Sequence, residues 1–436
     1  MRRADRRPPH RLLRLEDIRQ EAFRDCRALV HVDLADCHTL ARLGRHAFAG
    51  CSSLVGLLPG PALTAIGGEA FAKCTALRSF PFSRCRALRR IGAGAFIDCT
   101  ALTEVDLAGL AKLVVIGELA FLECNNLVAV DLSACASLRA VDALAFALCD
   151  ALGSVQFAGC TSLTAVGDGA FACCTALASV DLSGAQALRT LGAGAFAGCG
   201  QLGRLDLSGC AALVYLGARA CLGCHSLAEV RLARCRALAH VGAEGFTGCE
   251  ALAALDLSAS AVPVRLGDAA LRDCHALAAL ALPVATLRGR LAAAAFGPVP
   301  TGRAPALAAI TFVPPHSQLQ WALAAPRAAA AGRVPVGFEL GQAVFAACPA
   351  LRPTAVCTQG YGWGRARAQW AARRVAFYLY GRTAERRCAP GGPWEAQDRA
   401  SYVADSRPAR GRGGGSDSAG SSTWDDEVPG LHPPDA

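Results

Sequence analysis

The residues of this chain best equipped for chemistry are its cysteines, and one cluster is arranged suggestively. Cys221-Leu-Gly-Cys224-His225 carries both the C-x-x-C spacing of a dithiol redox pair and the C-x-x-C-H order of a haem attachment site. Twenty-two cysteines occur in all, a number that in a small exported domain would mean a disulfide framework. Their spacing points elsewhere. Eleven stand at Cys26, Cys51, Cys74, Cys99, Cys124, Cys149, Cys174, Cys199, Cys224, Cys249 and Cys274, every gap being 25 residues except one of 23. Six more (Cys37, Cys85, Cys135, Cys160, Cys210 and Cys235) share a second slot. Cysteines on one period point the same way from successive turns of the chain, and parallel Cβ vectors are poor geometry for a disulfide. They read as reduced, buried, small apolar fillers. Cys224 belongs to the periodic set and Cys221 merely stands in a phenylalanine slot, so the haem and redox matches read as by-products of the period.

Other catalytic signatures are missing from the sequence. There is no H-E-x-x-H, no nucleophile elbow and no paired-carboxylate pattern. The nine histidines show no ligand spacing, although His225 and His275 share a slot two units apart. Glycine pairs such as Gly192 and Gly194 recur as turn residues and match no phosphate-binding fingerprint. No enzyme activity, cofactor or metal is expected.

What positions these residues is an internal repeat. Phenylalanine, usually after alanine, recurs at Phe23, Phe48, Phe71, Phe96, Phe121, Phe146, Phe171 and Phe196. The slot continues through Cys221, Phe246, Leu271 and Phe296. Counting from it, cysteine follows at +3, leucine at +6, apolar residues at +9 and +11, leucine at +17 and Ile, Val or Leu at +20. The L-x-x-V-x-L part places its last two apolar residues on one side of an extended segment, with the residue between them facing out. The I-G-x-x-A-F-x-x-C part has apolar spacings of three to five, which suit a short helical turn on the opposite side. One unit cannot bury its own apolar stripe, whereas stacked units can.

The unit Leu54 to Cys74, LVGLLPGPALTAIGGEAFAKC, resembles the BspA-like leucine-rich repeat through its proline after the strand and its I-G-x-x-A-F-x-x-C tail. Most other units add two residues after the strand and approximate V-D-L-S-x-C, as at Val130–Cys135, closer to other leucine-rich repeats. The expected architecture is an α/β repeat solenoid: a leucine-rich-repeat horseshoe with a parallel β-sheet on the concave wall and short helical turns on the convex wall. The resemblance implies a binding protein, often a surface adhesin.

Residues 15–312 hold about twelve units. Residues 313–360 are expected to form a degenerate repeat and connector. Residues 361–389, with a basic amphipathic stretch at Arg365–Arg387, would cap the open end of the stack or serve a partner or membrane surface. Residues 1–14 read as a basic arm and residues 390–436 as a disordered tail. The net charge of +9 is concentrated in these flanks: six arginines against one acid in 1–14, and eleven against four in 361–412. The last 24 residues carry five acids and no base, which leaves +2 for the body, residues 15–360. With no secretory h-region and no 18-residue apolar run, an intracellular location is expected.

One surface feature bears on function. The outward +10 slot is Asp33, Asp106, Asp131, Gln156, Asp181, Asp206, Arg231 and Asp256, and the neighbouring +8 slot varies, with Glu104, Arg204 and Glu229. Adjacent strands lie about 4.8 Å apart, so these residues form columns in which like charges repel. Two readings stand: a face that recognises a protein or peptide with basic groups, or an aspartate copied by unit duplication. On charge alone, replacing Asp131, Asp181 and Asp206 by serine should stabilise slightly. The rival functions are an adhesin whose leader lies upstream of Met1, and nucleic-acid or anionic-membrane binding through the arginine-rich ends.

Overall fold

The computed structural model describes residues 15–283, Ala295 and the strand Ala309–Val313. Each 25-residue unit forms one coil with two short strands, and each strand pairs only with its counterparts in the coils before and after. The L-x-x-V-x-L segment gives the first ladder. It runs in parallel register through Glu104–Asp106, Ala129–Asp131, Ser154–Gln156, Ser179–Asp181, Arg204–Asp206 and Glu229–Arg231. A two-stranded stretch precedes it (His31–Asp33 with Gly56–Leu58), and Ala254–Asp256, Ala279–Pro283 and Ala309–Val313 follow. The residues at +17 to +20 give the second ladder, eleven parallel two-residue strands from Asp17–Ile18 to Arg265–Leu266. The irregular spacings of the sequence reappear as registers: Arg42 pairs with Ala65 across the 23-residue unit, and Ala279 pairs with Ala309 across the late one.

The third wall departs from expectation. Short helical turns were anticipated over I-G-x-x-A-F-x-x-C, but these segments are chains of tight turns. In every coil from Glu21 to Asp273, the residues two before and two after the phenylalanine slot have φ between +54° and +75°, as at Leu119 and Glu123. A right-handed helix needs φ near −60° at every residue, so two left-handed residues four apart exclude it. The turns close on themselves, as in Ala120 N–H to Gly117 O and Leu122 N–H to Leu119 O. Alternate N–H groups then point to the next coil: Leu119 to Ala143 O, Phe121 to Ala145 O and Glu123 to Ala147 O. The wall is therefore a third ladder of inter-coil hydrogen bonds. Among the described residues of known side-chain placement, the one 3-10 segment of several residues is Phe82–Arg84.

Between the walls lies one continuous core running from Ile18 to Leu282. The phenylalanines stack ring on ring from Phe23 to Phe196, centroids 4.9–5.6 Å apart and planes within 13°. The stack stops at Cys221. The cysteines do more than fill space. Each +3 thiol from Cys51 to Cys274 donates to the main-chain carbonyl of the slot residue one coil earlier, as Cys174 Sγ does to Phe146 O at 3.1 Å. Four of the second set do the same to the leucine that follows a first-ladder strand, as Cys160 does to Leu132 O at 3.2 Å. Burial raises these thiols, Cys74 and Cys274 to about 12 and Cys160 to about 11, so they stay protonated and able to donate. All nineteen described cysteines are free.

The coils approach closely at the glycine four residues before the phenylalanine slot. A Cβ at Gly192 would lie 2.4 Å from the main chain of Gly167, and the equivalent glycines from Gly44 to Gly267 are as tight. The first ladder breaks where Pro81 takes the +10 slot: Ser79 keeps one bridge to Gly56, and Phe80 and Phe82 turn into the core against Phe71 and Phe96. Proline has no N–H to give a ladder. The basic arm 1–14, the connector beyond Val313 (314–360), the cap at 361–389 and the tail 390–436 lie outside the described residues.

The close approach makes a testable pair. Gly192→Ala should cost about 1–3 kcal/mol or more by pushing two main chains apart. Gly200→Ala, with nothing within 4 Å of its added Cβ, should stay within about 0.5 kcal/mol. Urea unfolding of both variants checks it.

Candidate functional site

The outward residues of the first ladder sit where the repeat predicts. The +9 side chains Val105, Val130, Val155, Val180 and Leu205 are buried, and the +8 and +10 residues flank them on the outer surface. The in-register pairing sets Glu104, Ala129, Ser154, Ser179, Arg204 and Glu229 in one column and Asp106, Asp131, Gln156, Asp181, Asp206 and Arg231 in the other. Asp33 belongs to the earlier two-stranded stretch and Asp256 to the later one. Leu58 and Pro81 interrupt the column between Asp33 and Asp106.

What sequence reasoning missed is that each aspartate in the column has a local job. Its Oδ1 accepts the main-chain N–H two residues on: Asp33 from Ala35, Asp106 from Ala108, Asp131 from Ser133, Asp181 from Ser183, Asp206 from Ser208 and Asp256 from Ser258, at 2.7–3.0 Å. These are Asx turns, which end a strand and bend the chain. The available signal was the recurring V-D-L-S, an aspartate at the last strand position two residues before a turn. Charge repulsion is therefore not the main consequence of the column. Serine in place of Asp131, Asp181 and Asp206 exchanges a carboxylate acceptor for a weaker hydroxyl one, so the expected slight stabilisation is withdrawn.

Two coils differ from the rest. Arg204, Asp206, Glu229 and Arg231 form a closed ring of alternating charge across paired strands. Arg204 reaches Asp206 at 2.8 Å and Glu229 at 3.6 Å, while Arg231 reaches Asp206 at 3.6 Å and pairs with Glu229. Asp206 is 5% exposed. Burial alone would push its carboxyl up, but hydrogen bonds from Ser208 and Arg204, together with the Arg204 charge, hold it below the ordinary value. By contrast Asp33, Asp106, Asp131, Asp181, Asp256 and Glu104 make no ion pair among the described residues. Their carboxylates face solvent, tethered at Oδ1 in the aspartates.

Of the C-x-x-C-H cluster, the Cys221 and Cys224 thiols share a hydrogen bond, but His225 does not join them. Cys221 and Cys224 are buried, while the His225 side chain is 62% exposed and lies 3.5 Å from Glu250. Among the described residues no three His, Cys, Asp or Glu side chains stand together as a metal site would require.

Asp181→Ala should cost about 0.5–1.5 kcal/mol through the lost turn hydrogen bond, whereas Asp181→Asn, which keeps an oxygen acceptor, should cost less. Thermal melts of the two variants test the Asx assignment. A second prediction concerns Asp142, which occupies the tight glycine slot. Burial raises its carboxyl above the ordinary 3.8, against a lowering by Arg90 and with a small addition from Glu118. Its folded form holds a proton that its unfolded form releases, so its contribution to stability falls as pH rises from 3.8 through the folded pKa. Asp142→Asn should therefore raise the melting temperature at pH 7 and show a smaller gain at pH 3, checked by melts across that range.

A family model described as the BspA type leucine rich repeat region (6 copies) matches residues 13–128, 89–211 and 115–253. No curated protein matches the sequence. Among solved structures, the chain is similar to the T. pallidum leucine-rich-repeat protein at 27% identity, covering 43% of this chain and 71% of that one with a TM-score of 0.33. It is similar to a leucine rich cell surface protein of Faecalibacterium prausnitzii at 19% identity, 70% and 85% coverage and a TM-score of 0.35. A leucine-rich repeat protein of Bacteroides ovatus gives 20% identity, 68% and 87% coverage and a TM-score of 0.36. With the family's repeat matched over more than half of its length and built as stacked coils, the chain belongs to the BspA-type leucine-rich-repeat family.

Proposed function

We propose that this protein is a non-catalytic interaction scaffold whose first-ladder face takes a protein or peptide bearing basic groups. The observation that carries the reading is the row of carboxylates at Asp106, Asp131, Asp181 and Asp256, joined by Glu104. Each aspartate is held by its own Asx turn on a hydrogen-bonded ladder and none forms an ion pair with a described neighbour, although Asp181 lies in the field of Arg204. Acceptors already fixed in position lose little freedom on binding, which favours a partner that arrives with complementary charge. The Arg204–Asp206–Glu229–Arg231 ring breaks the row and gives the face a direction, so a partner can be read along the stack. Nineteen free thiols support a reducing, intracellular setting. The described residues include no helix long and apolar enough to cross a membrane.

A pull-down with the full chain would supply a partner, and the triple variant Asp131→Asn, Asp181→Asn, Asp256→Asn then tests the site with the turns retained. Association at low salt should slow several-fold and its salt dependence should flatten. A partner whose affinity and salt response are unchanged by the three substitutions would place the site elsewhere.

A further inference from the structure

The second ladder and the corner leading into it are charged oppositely to the first. In eight successive coils the residues from the end of the first-ladder strand to the second-ladder strand are 83–90, 108–115, 133–140, 158–165, 183–190, 208–215, 233–240 and 258–265. Together they hold nine arginines, one lysine and one histidine, and not one aspartate or glutamate. All ten Lys and Arg side chains are exposed, and none makes an ion pair among the described residues. Acids bound the strip on both sides, the aspartate column two residues before it and Glu118, Asp142, Asp168, Glu244 and Asp268 on the turn wall after it; Asp142 feels the charge of Arg90 and Tyr215 that of Asp168.

The strip is long and ordered. The second ladder is in register coil by coil, so Arg89, Arg139 and Arg189 recur at every second coil, about 10 Å apart, and eight coils span about 34 Å. Uncompensated cations in such a row repel one another and are relieved by a linear polyanion, not by a single small anion. Nine of the ten are arginine, whose planar fork meets phosphate oxygens two at a time. Near one end Tyr215 stands 37% exposed on the same ladder, its ring 6.3 Å from that of His240, with Arg189 and Arg265 on flanking coils. Exposed rings beside arginines are the stacking platforms that single-stranded nucleic acids use.

We propose that this second-ladder face binds a single strand of nucleic acid, its phosphates along the arginine row and a base against Tyr215. This surface is separate from the first-ladder face and from the arginine-rich flanks.

The test is fluorescence anisotropy of the full chain with a labelled 20-nucleotide oligo(dT) over a salt series. The variant Arg89→Gln, Arg90→Gln, Arg139→Gln, Arg189→Gln should bind about tenfold more weakly or worse at 0.1 M salt. Its salt slope should fall by about 3, from four phosphates released at about 0.7 each. Tyr215→Ala should weaken binding fivefold or more while Tyr215→Phe retains it, and Asp131→Asn with Asp181→Asn should not weaken it. Unchanged melting temperatures establish that the variants fold. Unaltered affinity and slope in the quadruple variant would overturn the proposal, since the flanks would then account for the binding. So would equal binding of polyglutamate, heparin or phosphatidylserine vesicles that ignores Tyr215, because the face would then be a general anion or membrane surface.

Discussion

Every coil of this protein depends on its neighbours to complete its own main-chain hydrogen bonding. A unit of 25 residues has two strands too short to stand alone and a run of turns with no helix to satisfy its N–H groups internally. An unpaired buried N–H or C=O costs about as much as a lost hydrogen bond. The solution is one shared register on all three walls, as when Val130 pairs with Val155, Val141 with Val166, and Phe146 N–H reaches Ala170 O. That register fixes the rest. It puts phenylalanine over phenylalanine, brings the +3 thiols from Cys51 to Cys274 under a carbonyl of the previous coil, and leaves room for little but glycine, with Asp142 the exception, where main chains nearly touch.

The same register turns sequence columns into surfaces of uniform chemistry. Whatever recurs at one slot becomes a stripe along the stack. Aspartate recurs at the end of the first-ladder strand because an Asx turn is needed there, and the by-product is an acidic row. Arg42 at the start of the second ladder is paired with Asp17 at 2.7 Å, whereas the arginines of residues 83–265 on that ladder and its corner make no ion pair among the described residues. A structural need thus accounts for the presence of the acidic row, though not for its use. The basic row between residues 83 and 265 has no such turn-forming role among the described residues.

How much of this was legible in the sequence follows from what a repeat displays. Period, strand positions, the buried leucines and the 23-residue and late units could all be read, because apolar spacing reports which side of the chain is inside. The turn wall could not. Apolar residues three to five apart fit a helical turn and a chain of tight turns equally well, and non-glycine residues such as Leu119, Leu148 and Arg219 take positive φ without any compositional warning. The site was half legible. The columns were visible as charges, but the Asx role of Asp106 and Asp131 needed main-chain geometry, and the ring joining Arg204, Asp206, Glu229 and Arg231 needed the pairing of adjacent strands.

The central claim is that the turn wall is a hydrogen-bonded ladder holding the coils in register as firmly as the strands do. Native-state amide hydrogen exchange, resolved by residue, tests it most directly. The N–H groups of Phe96, Phe121, Phe146 and Phe171, each donating to the next coil, should be protected to the same degree as those of Val130 and Val180 in the first ladder and should open with them as one unit. Fast exchange at the phenylalanines beside slow exchange in the strands would contradict the account, leaving the wall a set of independent turns.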